Sequence, residues 1–289
     1  MAKEIKLGLL GNGIGRSRAK SLHELIGGLY GLNVHYWPMD LAGKADVNIG
    51  DELIRCREEG YRGVNVTHPY KRDAFRFVDV LSGFPAGLTS VNTVVFDAGR
   101  LMADNTDYNG FCRAYITHFS GQQKPGRVLM LGSGGVGLAI AYGLQKLGAS
   151  ELVVFDKNLQ AARDLIANLN QAQLPARNIE YVDLIDEMRS ADGLINATPV
   201  GMFQYPGNPF PQEGFANQRW AFDAVYTPER TVFLEYCRRW DIDTVSGFKL
   251  FLYQGLDAFR LFTNIDVDAQ MVEREFLRRY PLDERALSA

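Results

Sequence analysis

The chain has 289 residues, of which 46% are hydrophobic and 22% are charged, the balance of an ordinary globular protein. Its net charge of −3 gives no reason to expect nucleic acid or an anionic membrane as a partner. The sequence contains no apolar run of the ~20 residues that span a bilayer, and its amino terminus lacks a signal-peptide pattern. Cys56, Cys112 and Cys237 are too widely spaced for a disulfide framework or a zinc site. We therefore expect a cytoplasmic protein that binds a small molecule.

Short apolar strands alternate with amphipathic helices in the first third of the chain. The predicted strands are residues 5–10, 33–39, 63–67 and 91–96, the last followed by a turn at 97–100. The predicted helices are residues 21–30 and 49–59, and a third that begins at Pro69. This alternation predicts a first α/β sheet.

A polar, glycine-containing loop at residues 120–126 marks the start of a second α/β unit. Its predicted strands are residues 128–131, 151–155, 193–197 and 221–225. From about Gly247 onward the pattern is helical, with apolar residues at intervals of three and four in residues 250–262 and 271–279.

A GxGxxG sequence directly follows the strand at 128–131 and opens a helix of small residues. Glycines at these positions let the backbone approach a pyrophosphate at the helix amino terminus, where free N–H groups favour anions. The next strand ends at Asp156, a position where a carboxylate accepts hydrogen bonds from the adenosine ribose. The cofactor-binding candidates are Gly132, Gly134, Gly135, Val136, Gly137, Asp156 and Lys157.

Asp156 would repel a 2′-phosphate, so the sequence predicts NAD as the preferred cofactor, with NADP possible because Lys157 would soften that repulsion. The alternative is a tight strand-to-helix turn without a ligand, with Asp156 as an acid of the loop. The sequence contains no GxxxxGK[ST], which argues against nucleoside triphosphate hydrolysis.

Lys71 lies in the first turn of the helix predicted to begin at Pro69. A cation at the positive end of a helix dipole is disfavoured in its charged form, which suits a group that transfers protons. The alternative is a solvated lysine on the surface.

Two clusters of short polar residues, at 90–93 and 105–110, lie at the ends of apolar strands. Such strand ends are where α/β sheets bind ligands. Asp107 is the acid of the second cluster, and taken alone it could equally be the N-cap of the helix predicted at 111–119.

Six motifs in this order resemble the shikimate dehydrogenase family, and most of all its NAD-using quinate/shikimate branch. They are residues 65–71 (NVTHPYK), 90–93 (SVNT), 105–110 (NTDYNG), the glycine loop, 196–201 (NATPVG) and 254–255 (QG). The resemblance implies reversible NAD(P)-dependent oxidation of shikimate, quinate or aminoshikimate to the 3-dehydro ketone, in aromatic amino acid biosynthesis. It assigns proton transfer to a pair formed by Lys71 and Asp107.

The resemblance also assigns two sets of binding residues. Those implied for the substrate, a cyclohexene or cyclohexane carboxylate, are Ser17, Asn65, Thr67, Asn92, Tyr226 and Gln254. Those implied along the nicotinamide half of the cofactor are Thr198, Pro199, Val225 and Gly247. The chemistry agrees, because a polyol needs neutral hydrogen-bonding groups and hydride transfer leaves the protein to supply orientation and a proton.

We predict two α/β domains on this basis. Residues 1–107 plus 245–289 form the substrate-binding domain, and residues 108–244 form a Rossmann-type NAD(P)-binding domain, with the C-terminal helices returning to the first. We expect no metal and a monomer or homodimer.

One segment departs from the family's pattern. Its carboxylate-binding loop usually carries two hydroxyl residues two positions apart and then proline, whereas here Ser17 is followed by Ala19 and Lys20. A basic neighbour (Arg16, Arg18 or Lys20) would have to compensate, or the substrate differs from shikimate.

Two other functions remain open. One is an enzyme of the same plan with another substrate, such as a methylenetetrahydrofolate dehydrogenase. The other is a regulatory protein that binds NAD without catalysis.

Overall fold

A computed structural model describes residues 4–281 of the chain. The chain forms two compact units. Of the described residues, the first unit contains 4–106 and Leu252–Tyr280, and the second contains Asp107–Phe251. Within the described residues, each unit holds one six-stranded sheet.

In the first unit, strands and helices alternate up to α3, and three further strands follow. The elements are β1 (Glu4–Gly11), α1 (Ala19–Leu29), β2 (Asn33–Asp40), α2 (Ile49–Glu58), β3 (Gly63–Val66), α3 (Lys71–Ala74), β4 (Asp79–Val80), β5 (Thr93–Asp97) and β6 (Arg100–Asp104). The strand order is β2-β1-β3-β5-β6-β4, with β1 parallel to both β2 and β3, but β5 antiparallel to β3. The start of β5 therefore lies beside the end of β3, where Asn65 pairs with Thr93.

Strands and helices alternate in the second unit as well, except that β11 follows β10 without an α-helix between them. Its elements are α4 (Thr106–His118), β7 (Arg127–Leu131), α5 (Gly135–Lys146), β8 (Glu151–Phe155), α6 (Leu159–Gln171), β9 (Ala176–Asn178), α7 (Leu184–Ser190), β10 (Gly193–Asn196), β11 (Trp220–Asp223), α8 (Val232–Arg239) and β12 (Asp243–Ser246). The order is β12-β11-β10-β7-β8-β9, and all pairings are parallel. This is the doubly wound order of dinucleotide-binding folds, in which ligands bind at the carboxyl ends of the strands.

Two helices end the described chain, α9 (Gly247–Thr263) and α10 (Ala269–Arg279). From Leu252 onward they belong to the first unit, so the predicted return of C-terminal helices is confirmed. Gly255 of α9 packs so closely on α1 that a Cβ there would overlap the side chain of Leu22. A glycine at this position is therefore a packing requirement.

The apolar strands are buried on both faces in the second sheet. Val128, Leu129 and Met130 are consecutive residues of β7, so their side chains point to alternate faces, and each is fully buried. A parallel sheet covered on both sides needs such continuous apolar runs. The three cysteines are free and buried.

Four strands were missed because their sequences are short or weakly β-forming. They are β4, β6, β9 and β12. The turn predicted at 97–100 is confirmed, and it joins β5 to β6 through Ala98 and Gly99, both with positive φ. The strand predicted at 91–96 begins instead at Thr93, where its pairing with Asn65 of β3 and Asp104 of β6 starts.

The prediction of a helix that begins at Pro69 was wrong. The His68–Pro69 peptide is cis, and α3 begins two residues later, at Lys71, and contains only the four residues Lys71–Ala74. A single turn carries little of the dipole of a full helix, so the dipole argument made for Lys71 loses most of its force.

Among residues 4–281, no helix is both long and apolar enough to cross a membrane. The same residues contain no group of three or more His, Cys, Asp or Glu side chains arranged to hold a metal ion. The cytoplasmic location and the metal-free site stay predictions.

Candidate active site

The glycine loop between β7 and α5 leaves its backbone accessible. Gly132 has a φ of +98°, and a Cβ on it would lie 2.7 Å from the carbonyl oxygen of Ala197. A Cβ on Gly137 would overlap the Gly132 carbonyl oxygen, so these two glycines permit the close packing of loop and helix. A Cβ on Gly134, by contrast, would meet open space, which leaves room for a pyrophosphate at the start of α5.

Asp156 follows β8 at the adjacent strand end and is bonded to the glycine loop. Its Oδ2 accepts hydrogen bonds from the backbone N–H of Ser133 (2.6 Å) and from Ser133 Oγ (2.7 Å). Its Oδ1 accepts from the Asn158 N–H (2.8 Å), and Lys157 beside it is exposed. An open loop and a fixed carboxylate on neighbouring strands suit the pyrophosphate and ribose of a dinucleotide.

The residues expected along the nicotinamide follow two further strands of this sheet. Thr198 and Pro199 come after β10, and Val225 comes after β11. Thr198 donates to Asn196 Oδ1 through its N–H (3.0 Å) and its Oγ1 (2.7 Å), which fixes the turn. Gly247 begins α9, and a Cβ on it would lie 2.5 Å from the carbonyl oxygen of Asp223.

Asp223, the last residue of β11, is a buried acid that the sequence analysis missed. Its side chain is 0% exposed and accepts hydrogen bonds from Asn196 Nδ2 (2.9 Å), the Val225 N–H (3.0 Å) and Thr231 Oγ1 (2.5 Å). Burial disfavours the charged form more than these donors favour it, which raises the pKa of Asp223 to about 7. An acid inside the apolar run at 221–225 was the available signal.

A buried network of neutral polar groups lies in the first unit where β3 ends and β5 begins. Asn65 Nδ2 donates to Thr93 Oγ1 (3.0 Å) and to the Asn92 carbonyl (3.3 Å). Asn92 Oδ1 accepts from the Thr106 N–H (2.7 Å), and its Nδ2 donates to Thr106 Oγ1 (3.0 Å) and Gln254 Oε1 (3.5 Å). The structure thus brings together Asn65, Asn92 and Gln254, three of the predicted substrate residues.

Two aromatic side chains extend the network beyond Asn65, and the sequence analysis did not include either of them among the site residues. Tyr36 Oη donates to Asn65 Oδ1 (2.9 Å), and the His23 ring stacks on Tyr36 with centroids 4.9 Å apart. Burial lowers the pKa of His23 to about 3, against a smaller opposing effect of its hydrogen bond to Asn65. His23 is therefore a neutral, structural histidine at physiological pH.

Lys71 and Asp107, the predicted proton-transfer pair, lie in the first turns of two different helices. Lys71 is half-buried at the start of α3, and its carbonyl accepts from the Val91 N–H (3.0 Å). Asp107 is 5% exposed and is the second residue of α4, so it is not the N-cap of that helix. The first turn of a helix is a favourable position for a carboxylate.

The remaining predicted substrate residues lie on three separate segments. Thr67 directly follows β3, and its N–H donates to the Leu10 carbonyl (2.9 Å). Ser17 precedes α1, and its Oγ accepts from the Ala19 N–H (3.3 Å). Tyr226 follows β11, and its ring stacks on Phe251 with centroids 4.6 Å apart.

Arg18 and Lys20, two cations near Ser17, are bonded to other groups. Arg18 Nη2 donates to the Tyr280 carbonyl (2.6 Å), and Lys20 Nζ donates to Glu24 (2.7 Å) and the Tyr36 carbonyl (3.1 Å). Arg16 is exposed. A substrate carboxylate here would have to compete with these partners for Arg18 or Lys20.

The fold and these groups define a class of protein. A doubly wound parallel sheet with an open glycine loop and an acid at the end of the next strand is typical of NAD(P)-dependent oxidoreductases. The neutral amide and hydroxyl network in the other unit suits a polyhydroxylated substrate.

Comparison with known proteins identifies the family. Residues 9–94 match the family model described as the shikimate dehydrogenase substrate binding domain. The shikimate dehydrogenase (NADP(+)) of Pseudarthrobacter chlorophenolicus is 36% identical over 286 residues, or 97% of each chain. The quinate/shikimate dehydrogenase (NAD(+)) of Corynebacterium glutamicum is 34% identical, covering 96% of this chain and 99% of that one.

Solved structures agree. Quinate dehydrogenase from Corynebacterium glutamicum in complex with NAD superposes with a TM-score of 0.87 at 33% identity, over 96% of this chain and 100% of that one. Shikimate 5-dehydrogenase from Thermus thermophilus in complex with NADP(H) and shikimate superposes with a TM-score of 0.81 at 31% identity. The match covers 95% of this chain and 99% of that one. The chain belongs to the shikimate dehydrogenase family of NAD(P)-dependent oxidoreductases, which confirms the resemblance and the predicted enzyme class.

Proposed function

We propose that this protein catalyses the reversible oxidation of a ring hydroxyl of shikimate, quinate or aminoshikimate to the 3-dehydro ketone, with NAD as the preferred cofactor. The observation that carries the proposal is the buried network of neutral groups around Asn65, Asn92 and Gln254. Such amides fix the orientation of a polyol by donating to and accepting from its hydroxyls.

The two units have different roles in this proposal. Residues 1–107 with 245–289 bind the substrate, through Ser17, Asn65, Thr67, Asn92 and Gln254, and Tyr226 contributes from residues 108–244. Residues 108–244 bind the cofactor: the glycine loop holds the pyrophosphate, and Asp156 accepts from the ribose. The turns at Thr198, Pro199 and Val225, with Gly247, contact the nicotinamide half.

Lys71 and Asp107 supply the acid–base chemistry. NAD, when bound, accepts the hydride from the carbinol carbon of the substrate. The ε-amine of Lys71 removes the proton of the same hydroxyl during oxidation and returns it during reduction. The Asp107 carboxylate balances the positive charge that Lys71 gains with this proton.

The experiment that tests the proposal is a substrate panel with the purified protein. Shikimate, quinate, aminoshikimate and, as a fourth compound, methylenetetrahydrofolate are each assayed with NAD and with NADP by the absorbance of the reduced cofactor. We expect turnover of at least one ring acid. Turnover of methylenetetrahydrofolate instead would assign the other enzyme of the same plan, and NAD binding without any turnover would indicate a regulatory protein.

Ala19→Ser is expected to lower the KM for shikimate several-fold. A second hydroxyl that donates to a charged carboxylate is worth about 1.5–3 kcal/mol at best, and competition with water reduces this gain. Because the carboxylate is remote from the reacting carbon, ground state and transition state gain alike and kcat changes little. Steady-state kinetics check both values.

Two results would contradict this expectation in different ways. If Ala19→Ser leaves KM unchanged while Arg16→Ala or Lys20→Ala raises it sharply, a basic residue binds the carboxylate. If none of the three substitutions changes the KM for shikimate and another ring compound turns over much faster, shikimate is not the enzyme's substrate.

A further inference from the structure

Asp223 lies where two cofactor-side turns meet. Its carboxylate accepts from Asn196, the last residue of β10, and from the N–H of Val225, which follows β11. A third donor, Thr231 Oγ1, comes from the residue that caps α8 by accepting from the Leu234 N–H (3.2 Å). One buried side chain therefore joins the ends of two strands and the start of a helix.

Asn196 transmits this contact to the turn that follows β10. Its Nδ2 donates to Asp223 and also to the Val200 carbonyl (2.8 Å), while its Oδ1 accepts both donors of Thr198. The Val200 N–H in turn donates to Thr198 Oγ1 (3.1 Å). The orientation of the Asn196 amide, and with it the turn at residues 198–200, depends on an acceptor at position 223.

We propose that Asp223 is a positioning residue for the nicotinamide half of the cofactor, which it organises in its ionised form through Asn196 and the Val225 N–H. The inference rests on the proposed function, because it assumes that the turns at Thr198 and Val225 contact the nicotinamide. Asp223 itself, being fully buried, touches neither cofactor nor substrate in this role.

Ionisation matters because three donors converge on the carboxylate. An ionised carboxylate has only acceptor sites, whereas a protonated acid or an asparagine presents a donor of its own. Asn196 Nδ2 and the Val225 N–H both donate to Oδ1, and Thr231 Oγ1 donates to Oδ2. A donor at the Oδ2 position reverses the contact with Thr231 Oγ1, which already accepts from the Leu234 N–H. It also leaves Oδ1 an uncharged and therefore weaker acceptor for Asn196 and Val225, so the turns that depend on these two bonds are held less firmly.

This arrangement makes cofactor affinity sensitive to pH. The pKa of Asp223 is raised to about 7, mainly by burial, so the carboxylate is ionised above that pH and protonated below it. The titratable side chain that faces Asp223 from α8 is Cys237, whose pKa burial raises well above the usual thiol range. Cys237 is therefore neutral between pH 6 and 8, and affinity for NAD should fall as the pH falls through about 7.

The experiment compares two ligands that share the adenosine half. NAD and ADP-ribose, which lacks nicotinamide, are titrated by calorimetry into the intact protein and into the D223N, T231V and T231S variants. We expect D223N to lower the affinity for NAD at least about tenfold, the range of a lost hydrogen bond to a charged group. The affinity for ADP-ribose should change less than about twofold. T231V should also lower the affinity for NAD, whereas T231S, which keeps the hydroxyl, should bind NAD as tightly as the wild type.

The pH series gives a readout that a merely structural role would not move. Between pH 8 and 6, NAD affinity of the wild type should fall several-fold while ADP-ribose affinity stays level, and T231S should follow the wild type. If D223N does not fold, T231V and this series carry the test. Equal losses for NAD and ADP-ribose in the folded variants, or a level NAD affinity from pH 8 to 6, would overturn the proposal. The substrate panel is a separate outcome: a wild type that binds NAD with this pH dependence but oxidises no ring acid would refute only the proposed substrate.

Discussion

Replacement of Lys71 by alanine is expected to lower kcat by at least ~10²-fold, the usual loss when a general acid or base is removed. The substrate's KM and the affinity for NAD should change much less, because the neutral groups around Asn92 and the glycine loop remain. The fold should also survive, since Lys71 contributes its backbone carbonyl to the Val91 N–H, and this bond does not need the side chain. Steady-state kinetics and calorimetric titration of NAD give these values.

Lys71→Arg separates proton transfer from charge. A guanidinium keeps the positive charge but cannot be deprotonated in a protein, so this variant should be nearly as inactive as Lys71→Ala. Lys44→Ala is the matched control, because Lys44 forms a surface ion pair with Glu52 (3.0 Å) and its removal should leave kcat unchanged. Turnover of Lys71→Ala within a few-fold of the wild type would remove this lysine from the mechanism.

The second large effect concerns cofactor choice. The wild type should have a higher kcat/KM with NAD than with NADP, because Asp156 accepts from ribose hydroxyls and repels a 2′-phosphate. Asp156→Ser, alone or with Lys157→Arg, should narrow or invert this ratio. Hydrogen bonds to a charged group are worth about 1.5–3 kcal/mol, which corresponds to roughly ten- to hundredfold in the ratio.

The structure adds a control, because Asp156 also accepts two hydrogen bonds from Ser133. Part of the loss with NAD in Asp156→Ser will come from a less constrained glycine loop. Ser133→Ala removes one of these bonds but keeps the carboxylate. It should therefore lower kcat/KM with NAD and with NADP by the same factor and leave the ratio of the two unchanged. A wild type that works better with NADP would show that Lys157 or another cation outweighs Asp156.

Features encoded by neighbouring residues were predictable from the sequence. The glycine loop, the strand before it and Asp156 follow one another along the chain, and their spacing alone identified a dinucleotide-binding unit, now confirmed by the strand order of the second sheet. The six motifs likewise identified the family. The roles assigned to Lys71, Asp107 and the binding residues stay predictions until the variants are measured.

What the tertiary structure decided were contacts between residues far apart in the chain. The antiparallel course of β5 places Asn92 and Thr93 beside Asn65, and α9 adds Gln254 to the same network. Asp223 meets Asn196 because β10 and β11 are adjacent and parallel, with these two residues in register. Strand order and direction depend on the packing of the whole unit, whereas hydrophobic periodicity and turn residues report only on local structure. For that reason the sequence could name the polar residues at the strand ends but not the partners that hold them.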